Sequence, residues 1–148
     1  MGVQKGWGMA GVFEHQVAVR WRDTDALGHV NHAVFLTYFE EGRDEFFTQV
    51  LGSEPIYVVA RLEVDFRAEV RPSEEWVRVR VEVERLGNTS LTTRETLSTS
   101  AGEVAAQALV VTVRWDEDKR TPIPFSATER ERLAAMAFAP DSVKSPGT

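Results

Sequence analysis

The sequence contains no cysteine. Thiol nucleophiles, disulfide staples and thiolate-held zinc are thereby excluded. A chain without disulfides has to be held by its apolar core. At 148 residues and 43% hydrophobic side chains there is material for one domain. Long hydrophobic runs are missing too, and nothing approaches the ~20 apolar residues of a membrane-spanning helix. Met1 to Gly6 has no apolar stretch of the kind that marks a signal peptide. Positive charge is also in short supply, with 17 basic residues against 23 acidic ones and a formal net charge of -6. No basic stripe is available to neutralise a nucleic-acid backbone. These shortages lead us to expect a cytoplasmic single-domain protein with neither nucleic-acid nor membrane partners.

What is present concentrates in Trp21-Arg22-Asp23-Thr24-Asp25-Ala26-Leu27-Gly28-His29-Val30-Asn31-His32. Before it, Phe13, Val17, Val19 and Trp21 alternate with Glu14, Gln16, Arg20 and Arg22, which predicts a half-buried strand. After it, Ala33 to Val50 is aromatic-rich and free of proline, with Gly42 inside, and predicts a long helix. Two carboxylates, a glycine, two histidines and an asparagine thus fall at a strand-to-helix junction. Helix amides there have no partner inside the helix, and anions are favoured.

Further along, Ala60, Leu62, Val64 and Phe66 alternate with charged residues, and Arg71-Pro72-Ser73-Glu74-Glu75 breaks the run. Val77, Val79, Val81 and Val83 give the clearest period of two in the chain. Gly87-Asn88 turns back into a Thr-rich strand from Leu91 to Leu97. Ala101-Gly102 turns again into Val104 to Trp115. The order is strand, helix, then four strands on short connections, which predicts antiparallel neighbours in a meander. The helix must bury its apolar face on that sheet. This is an α+β domain, with a long helix wrapped by one curved antiparallel five-stranded sheet. Ser126-Ala127-Thr128-Glu129 reads as a capping box opening a short C-terminal helix to about Phe138. Residues 1–11 read as a flexible leader, 12–138 as the domain and 139–148 as a disordered tail.

Several residues at the junction have two readings. Asp25 is the first candidate for chemistry, because a carboxylate can attack or activate water; it can equally cap a turn. Asp23 reads as a turn or surface residue, or a partner of Arg20 or Arg22. Gly28 permits a sharp turn or the close approach of a ligand. Asn31 fits a helix N-cap better than a ligand contact. His29 and His32, three apart, would face one another on a first helical turn, but two imidazoles without a third strong ligand make no zinc site. Glu40 and Arg43 have the spacing of a helix-surface ion pair. Arg61, Arg67, Arg78 and Arg80 fit cross-strand pairing as well as phosphate binding.

Asp23-Thr24-Asp25-Ala26-Leu27-Gly28-His29-Val30-Asn31 followed by Tyr38-Phe39-Glu40-Glu41-Gly42-Arg43 resembles the signature of hotdog-fold acyl-CoA thioesterases of the 4-hydroxybenzoyl-CoA thioesterase-like family. The likeness runs from about Phe13 to about Trp115. It implies a hotdog domain, a homodimer or homotetramer with sheets joined edge to edge, and hydrolysis of an acyl-CoA to a carboxylic acid and free coenzyme A. No metal or other cofactor is implied. It makes Asp25 the nucleophile or general base, the backbone amide of His32 the oxyanion donor, and Asn31 a member of the catalytic group. Gly28, His29 and Phe35 would line the site; Phe35 stands where relatives have a tyrosine, leaving a more apolar acyl pocket. Asn88, Thr89 and Ser90 would meet the coenzyme A tail. A single carboxylate with backbone donors suffices for such chemistry, since a thiol of pKa about 8.5 leaves readily. The rival readings are a hydratase or dehydratase on the same fold, a non-catalytic acyl-CoA-binding module, and a purely structural role for Asp25 and Asn31.

Overall fold

The structure is a computed structural model that describes residues 12–52 and 56–136. The leader 1–11, the turn residues 53–55, the tail 139–148 and the predicted helix end at 137–138 lie outside the described residues. The elements in chain order are β1 (Phe13–Ala18), α1 (His32–Leu51), β2 (Tyr57–Phe66), β3 (Trp76–Leu86), β4 (Ser90–Thr99), β5 (Val104–Asp116), the two-residue β6 (Thr121–Pro122) and α2 (Ala127–Ala135).

The valine alternation of β3 works as the sequence suggests. Val77, Val79, Val81 and Val83 all point inward and are fully buried. The inner face of α1 carries Phe35, Tyr38, Phe39, Gly42, Phe46 and Val50, spaced as one helical stripe. Phe46 meets Phe13 of β1 edge to face at 5.5 Å. Gly42 is small for a reason: a Cβ built there falls 2.4 Å from Val79 Cγ1 and 2.6 Å from Val79 Cβ. The helix therefore rests directly on β3. Breaks in the pairing register, between Val59 and Arg61 on β2 and between Val83 and Arg85 on β3, curl the sheet around α1. This is the hotdog arrangement.

The sheet order is β1-β3-β4-β5-β2, antiparallel throughout, with β6 pairing antiparallel beside the end of β5. The expected four-strand meander therefore holds only for β3, β4 and β5. β2 does not neighbour β3; it pairs with β5 from Phe66↔Ala106 to Tyr57↔Arg114. The connection after β2 includes a 3-10 turn at Pro72–Glu74 and carries the chain across to the far side of the sheet. β1 and β2 are thus the two edges. The β2 edge is ten residues long, and Val58, Val59, Leu62 and Phe66 on it remain substantially exposed. β1 has six residues and shows Glu14 and Gln16 to solvent.

The first strand ends earlier than the alternation predicts. Asp23 Oδ2 accepts the Arg20 N–H at 2.8 Å, which turns the chain into a 3-10 turn over Trp21–Asp23. Trp21 is consequently 93% exposed instead of buried. α2 opens with the reciprocal capping box foreseen at Ser126 and Glu129. No helix among the described residues is long and apolar enough to cross a membrane.

Candidate active site

The loop between β1 and α1 closes on itself. Asp23 C=O accepts the Asn31 N–H at 3.1 Å, Thr24 and Val30 form an antiparallel bridge, and the Asp25 N–H reaches His29 C=O at 3.0 Å. At the tip, Gly28 has φ +85°, a conformation costly for other residues, and a Cβ added there would meet nothing within 4 Å. The turn itself, rather than a crowded neighbour within the chain, requires this glycine. Asp25 Oδ1 accepts the Leu27 N–H at 2.9 Å, which fixes the carboxylate, while its side chain keeps 26% exposure. Oδ2 makes no hydrogen bond to the described residues. A turn-capping aspartate with one free oxygen toward solvent results.

The amides that follow can be accounted for one by one. Val30 N–H is taken by Val70 C=O at 2.8 Å and Asn31 N–H by Asp23 C=O. Asn31 is the N-cap, its Oδ1 accepting Ala33 N–H at 2.8 Å, and its carbonyl accepts Val34 N–H at 2.9 Å. His32, the first residue of α1, is left: its N–H has no partner among the described residues. That orphan donor sits at the positive end of a 20-residue helix.

The two histidines do not face one another. His29 Nδ1 lies 3.9 Å from Asp25 Oδ1 and 3.4 Å from Val30 C=O. The His32 ring meets Phe66 of β2 edge-on at 5.9 Å. Phe35 is buried beneath, 5.4 Å from Phe66, so the wall beside the helix start is aromatic and apolar. Among the described residues, no group of three or more His, Asp or Glu side chains is placed to hold a metal ion.

A cleft of about 240 Å³ lies between α1 and β2, lined by Leu36, Thr37, Phe39, Glu40, Arg43, Val59 and Leu62. Glu40 and Arg43 do not pair. Arg43 turns inward and meets Glu95 of β4 in a bidentate pair, Nε to Oε2 at 2.9 Å and Nη2 to Oε1 at 3.0 Å. Thr93 Oγ1 donates to the same carboxylate at 2.8 Å, and both charged residues are buried. Burial alone would lower the Arg43 pKa, but the facing Glu95 outweighs it and holds it above the ordinary arginine value.

Asn88, Thr89 and Ser90 lie elsewhere. Ala18, just before the loop, pairs with Trp76 at the start of β3, whereas Asn88 follows the end of that strand. Ten residue steps along β3 span about 33 Å, so one chain does not bring these residues to Asp25. At their end of the sheet Asn88 C=O accepts Phe125 N–H, Thr89 C=O accepts Arg114 N–H, and Arg130 donates to Gly87 C=O. The strand arginines are engaged: Arg61 with Glu63, Arg67 with Gln107, Arg78 with Glu14 and Arg80 with Glu82.

A family model, described as the thioesterase-like superfamily, matches residues 19–136. The chain belongs to this superfamily. Membership makes thioester hydrolysis its class of reaction. A thioesterase of Thermus thermophilus, solved with coenzyme A and zinc, is 35% identical, with a TM-score of 0.73 over 90% of this chain and 96% of that one. A predicted thioesterase of Bacillus stearothermophilus is 30% identical, with a TM-score of 0.76 over 87% of this chain and 98% of the other. The acyl-CoA thioester hydrolase YbgC of Escherichia coli is 28% identical over 118 residues, covering 75% of this chain and 87% of its own.

In this member of the thioesterase-like superfamily, the burial of Asp23 and the place of Glu95 bear on the site, and sequence reasoning foresaw neither. Asp23 lies in a turn and partners Arg20, as two of its readings had it, but it is buried, not on the surface, and accepts Tyr38 Oη–H from α1 at 2.7 Å as well as the Arg20 amide. No local signal marks that burial, because Tyr38 lies fifteen residues away. Glu95 did carry a signal: it shares the inward parity of Leu91, Thr93 and Leu97 on β4.

Proposed function

We propose that the protein hydrolyses acyl-CoA thioesters to a carboxylic acid and free coenzyme A. Asp25 either attacks the thioester carbonyl with its own carboxylate oxygen or, as general base, takes the proton of the water that attacks it, coenzyme A leaving as the thiolate. The His32 amide donates to the oxyanion that develops on the carbonyl. The observation that carries this reading is the orphan His32 N–H. Of the five amides from Val30 to Val34 it is the one left without a partner among the described residues, and it follows a loop that presents a free carboxylate oxygen. A donor fixed at a helix N-terminus needs no reorganisation as charge develops. Asn31 shapes the site by capping the helix, and Gly28, His29 and Phe35 form its lip and wall. No cofactor enters the scheme, in which coenzyme A is part of the substrate. The reading includes a cytoplasmic location.

The same reading includes a homodimer or homotetramer. A cleft near 240 Å³ is small beside the roughly 300–1,000 Å³ of ordinary ligand sites. The long apolar β2 edge beside it offers unpaired backbone groups that a second β2 satisfies. A partner chain is also the route by which Asn88, Thr89 and Ser90 reach a substrate held at another chain's Asp25.

The test is thiol release from acetyl-, hexanoyl- and benzoyl-CoA by wild type, Asp25→Asn and Asp25→Ala. The expected result is turnover of at least one substrate, falling about a hundredfold or more in both variants, equivalent to ~3 kcal/mol of barrier. Acyl-CoA binding without thiol release would instead make the protein a binding module. Hydration of an enoyl-CoA in place of thiol release would make it a hydratase.

A further inference from the structure

The carboxylate of Asp23 lies two residues from Asp25 and takes no part in the chemistry proposed above. The side chain is 10% exposed, and such burial is unfavourable for a carboxylate unless donors satisfy it. Two donors converge on one oxygen, Oδ2: Tyr38 Oη–H at 2.7 Å and Arg20 N–H at 2.8 Å, with Arg20 Nε at 3.8 Å. The main chain of the same residue holds the other side of the loop, since Asp23 C=O accepts the N–H of the N-cap Asn31. Asp23 therefore ties three things together: the end of β1 through Arg20, the second turn of α1 through Tyr38, and the N-cap through Asn31. Asp25 hangs from this frame on one side and the His32 amide on the other.

We propose that Asp23 is the positioning residue of the site, fixing the Asp25 carboxylate relative to the His32 amide through its paired hydrogen bonds to Tyr38 and Arg20. The inference rests on the roles given above to Asp25 and His32. Geometry, rather than charge, is what it contributes. Both bonds end on Oδ2, and a carbonyl oxygen with two lone pairs can accept both. Asparagine therefore reproduces the frame, whereas alanine abolishes it. Tyr38 is suited to its part: burial first, then the bond to Asp23, pushes its hydroxyl well above the ordinary tyrosine range, so it stays a donor.

The experiment compares Asp23→Asn, Asp23→Ala and Tyr38→Phe with wild type and Asp25→Asn, in steady-state thiol release from the same three acyl-CoAs. Asp23→Ala is expected to lower kcat by about tenfold to a hundredfold while KM moves by less than about threefold, as misplacement of reacting groups does. Tyr38→Phe should show a smaller fall of the same kind. Asp23→Asn should stay within about threefold of wild type. Amide hydrogen exchange over residues 23–32 reads the frame independently of turnover, and should quicken at Asn31 in Asp23→Ala but not in Asp23→Asn. Loss of activity in Asp23→Asn equal to that in Asp23→Ala would overturn the proposal, because charge would then be the contribution. Unchanged exchange and kcat in Asp23→Ala and Tyr38→Phe would overturn it too. An active Asp25→Asn would instead sink the role of Asp25 itself, while the exchange pattern would still judge the frame. Should Asp23→Ala fail to fold, Tyr38→Phe against Asp23→Asn carries the same comparison.

Discussion

Replacing Gly42 by alanine adds one methyl group where α1 touches β3. The new Cβ would stand 2.4 Å from Val79 Cγ1, 2.6 Å from Val79 Cβ and 3.2 Å from Val79 Cγ2. Carbon atoms settle at about 3.5–4.0 Å, so the overlap is roughly an ångström or more. A change of Val79 rotamer relieves the Cγ contacts but not the one to Cβ. The strand cannot retreat easily either, for Val79 is registered against His15 of β1 and Leu97 of β4. The helix must lift, loosening Phe39 and Phe46 beside it. Overpacking of this kind costs about 1–3 kcal/mol, and an unyielding neighbour puts the cost near the top, ~3. Alanine recovers ~1 kcal/mol through its better helix propensity. The net expectation is a loss of about 2 kcal/mol, which lowers Tm by roughly 8 °C in a domain of this size. Thermal melting followed by circular dichroism, with urea unfolding beside it, measures this. Val79→Gly removes every atom in the overlap, whereas Val79→Ala leaves the Cβ in place. The double variant Gly42→Ala/Val79→Gly should therefore be more stable than the sum of its single changes, and Gly42→Ala/Val79→Ala much less so. A Gly42→Ala protein as stable as wild type, or strict additivity with Val79→Gly, would refute the argument.

Three further outcomes are expected. Glu95→Ala leaves the Arg43 guanidinium buried without its carboxylate and should cost about 3–5 kcal/mol in urea unfolding, most of it regained in Arg43→Met/Glu95→Leu; equal losses in both would refute the pairing argument. The chain has two tyrosines, Tyr38 and Tyr57, and burial, with hydrogen bonds to Asp23 and Asp44, pushes both hydroxyls above their ordinary range. Folding thus binds these protons more tightly, so the stability they contribute is complete below about pH 10 and declines above it. Ultraviolet titration should find no tyrosinate in the folded protein near that pH, its appearance coinciding with loss of circular dichroism. Leu62→Asp on the exposed β2 edge should convert an assembly of two or four chains into single chains by light scattering, and an unaltered mass would place the interface elsewhere.

The layers of the fold were legible because they rest on local periodicity. The valines of β3 and the aromatic stripe of α1 announce their buried faces within a few residues. Pairing across the sheet was not legible: nothing in Tyr57–Phe66 indicates that its partner is β5 rather than the next strand. At the site, the turn glycine and the N-cap Asn31 were readable from residue type alone. The turn and the Arg20 partner read for Asp23 are both present, but its burial was missed, and Arg43 was misread, for a common reason. Charged residues suggest surface, and their burial depends on Tyr38 and Glu95, fifteen and fifty-two residues distant. Trp21 was misread in the opposite direction, as the strand pattern continues in sequence past the point where the Asp23 side chain turns the backbone.

The pairing of β2 with β5 also sets an order in time. As the chain leaves the ribosome, β2 appears before β3 and β4, yet its ladder partner, Val104–Asp116, is made about forty residues later. The β3-β4-β5 meander closes through short turns and is free to form first, whereas β2 must wait for it and then seal the sheet across a long loop. Until then Val58, Val59, Leu62 and Val64 travel as an unpaired apolar strand. Newly made chains crowded on one message are most open to mispairing in that interval, so slower synthesis of residues 67–116 should lengthen it and raise the aggregated fraction.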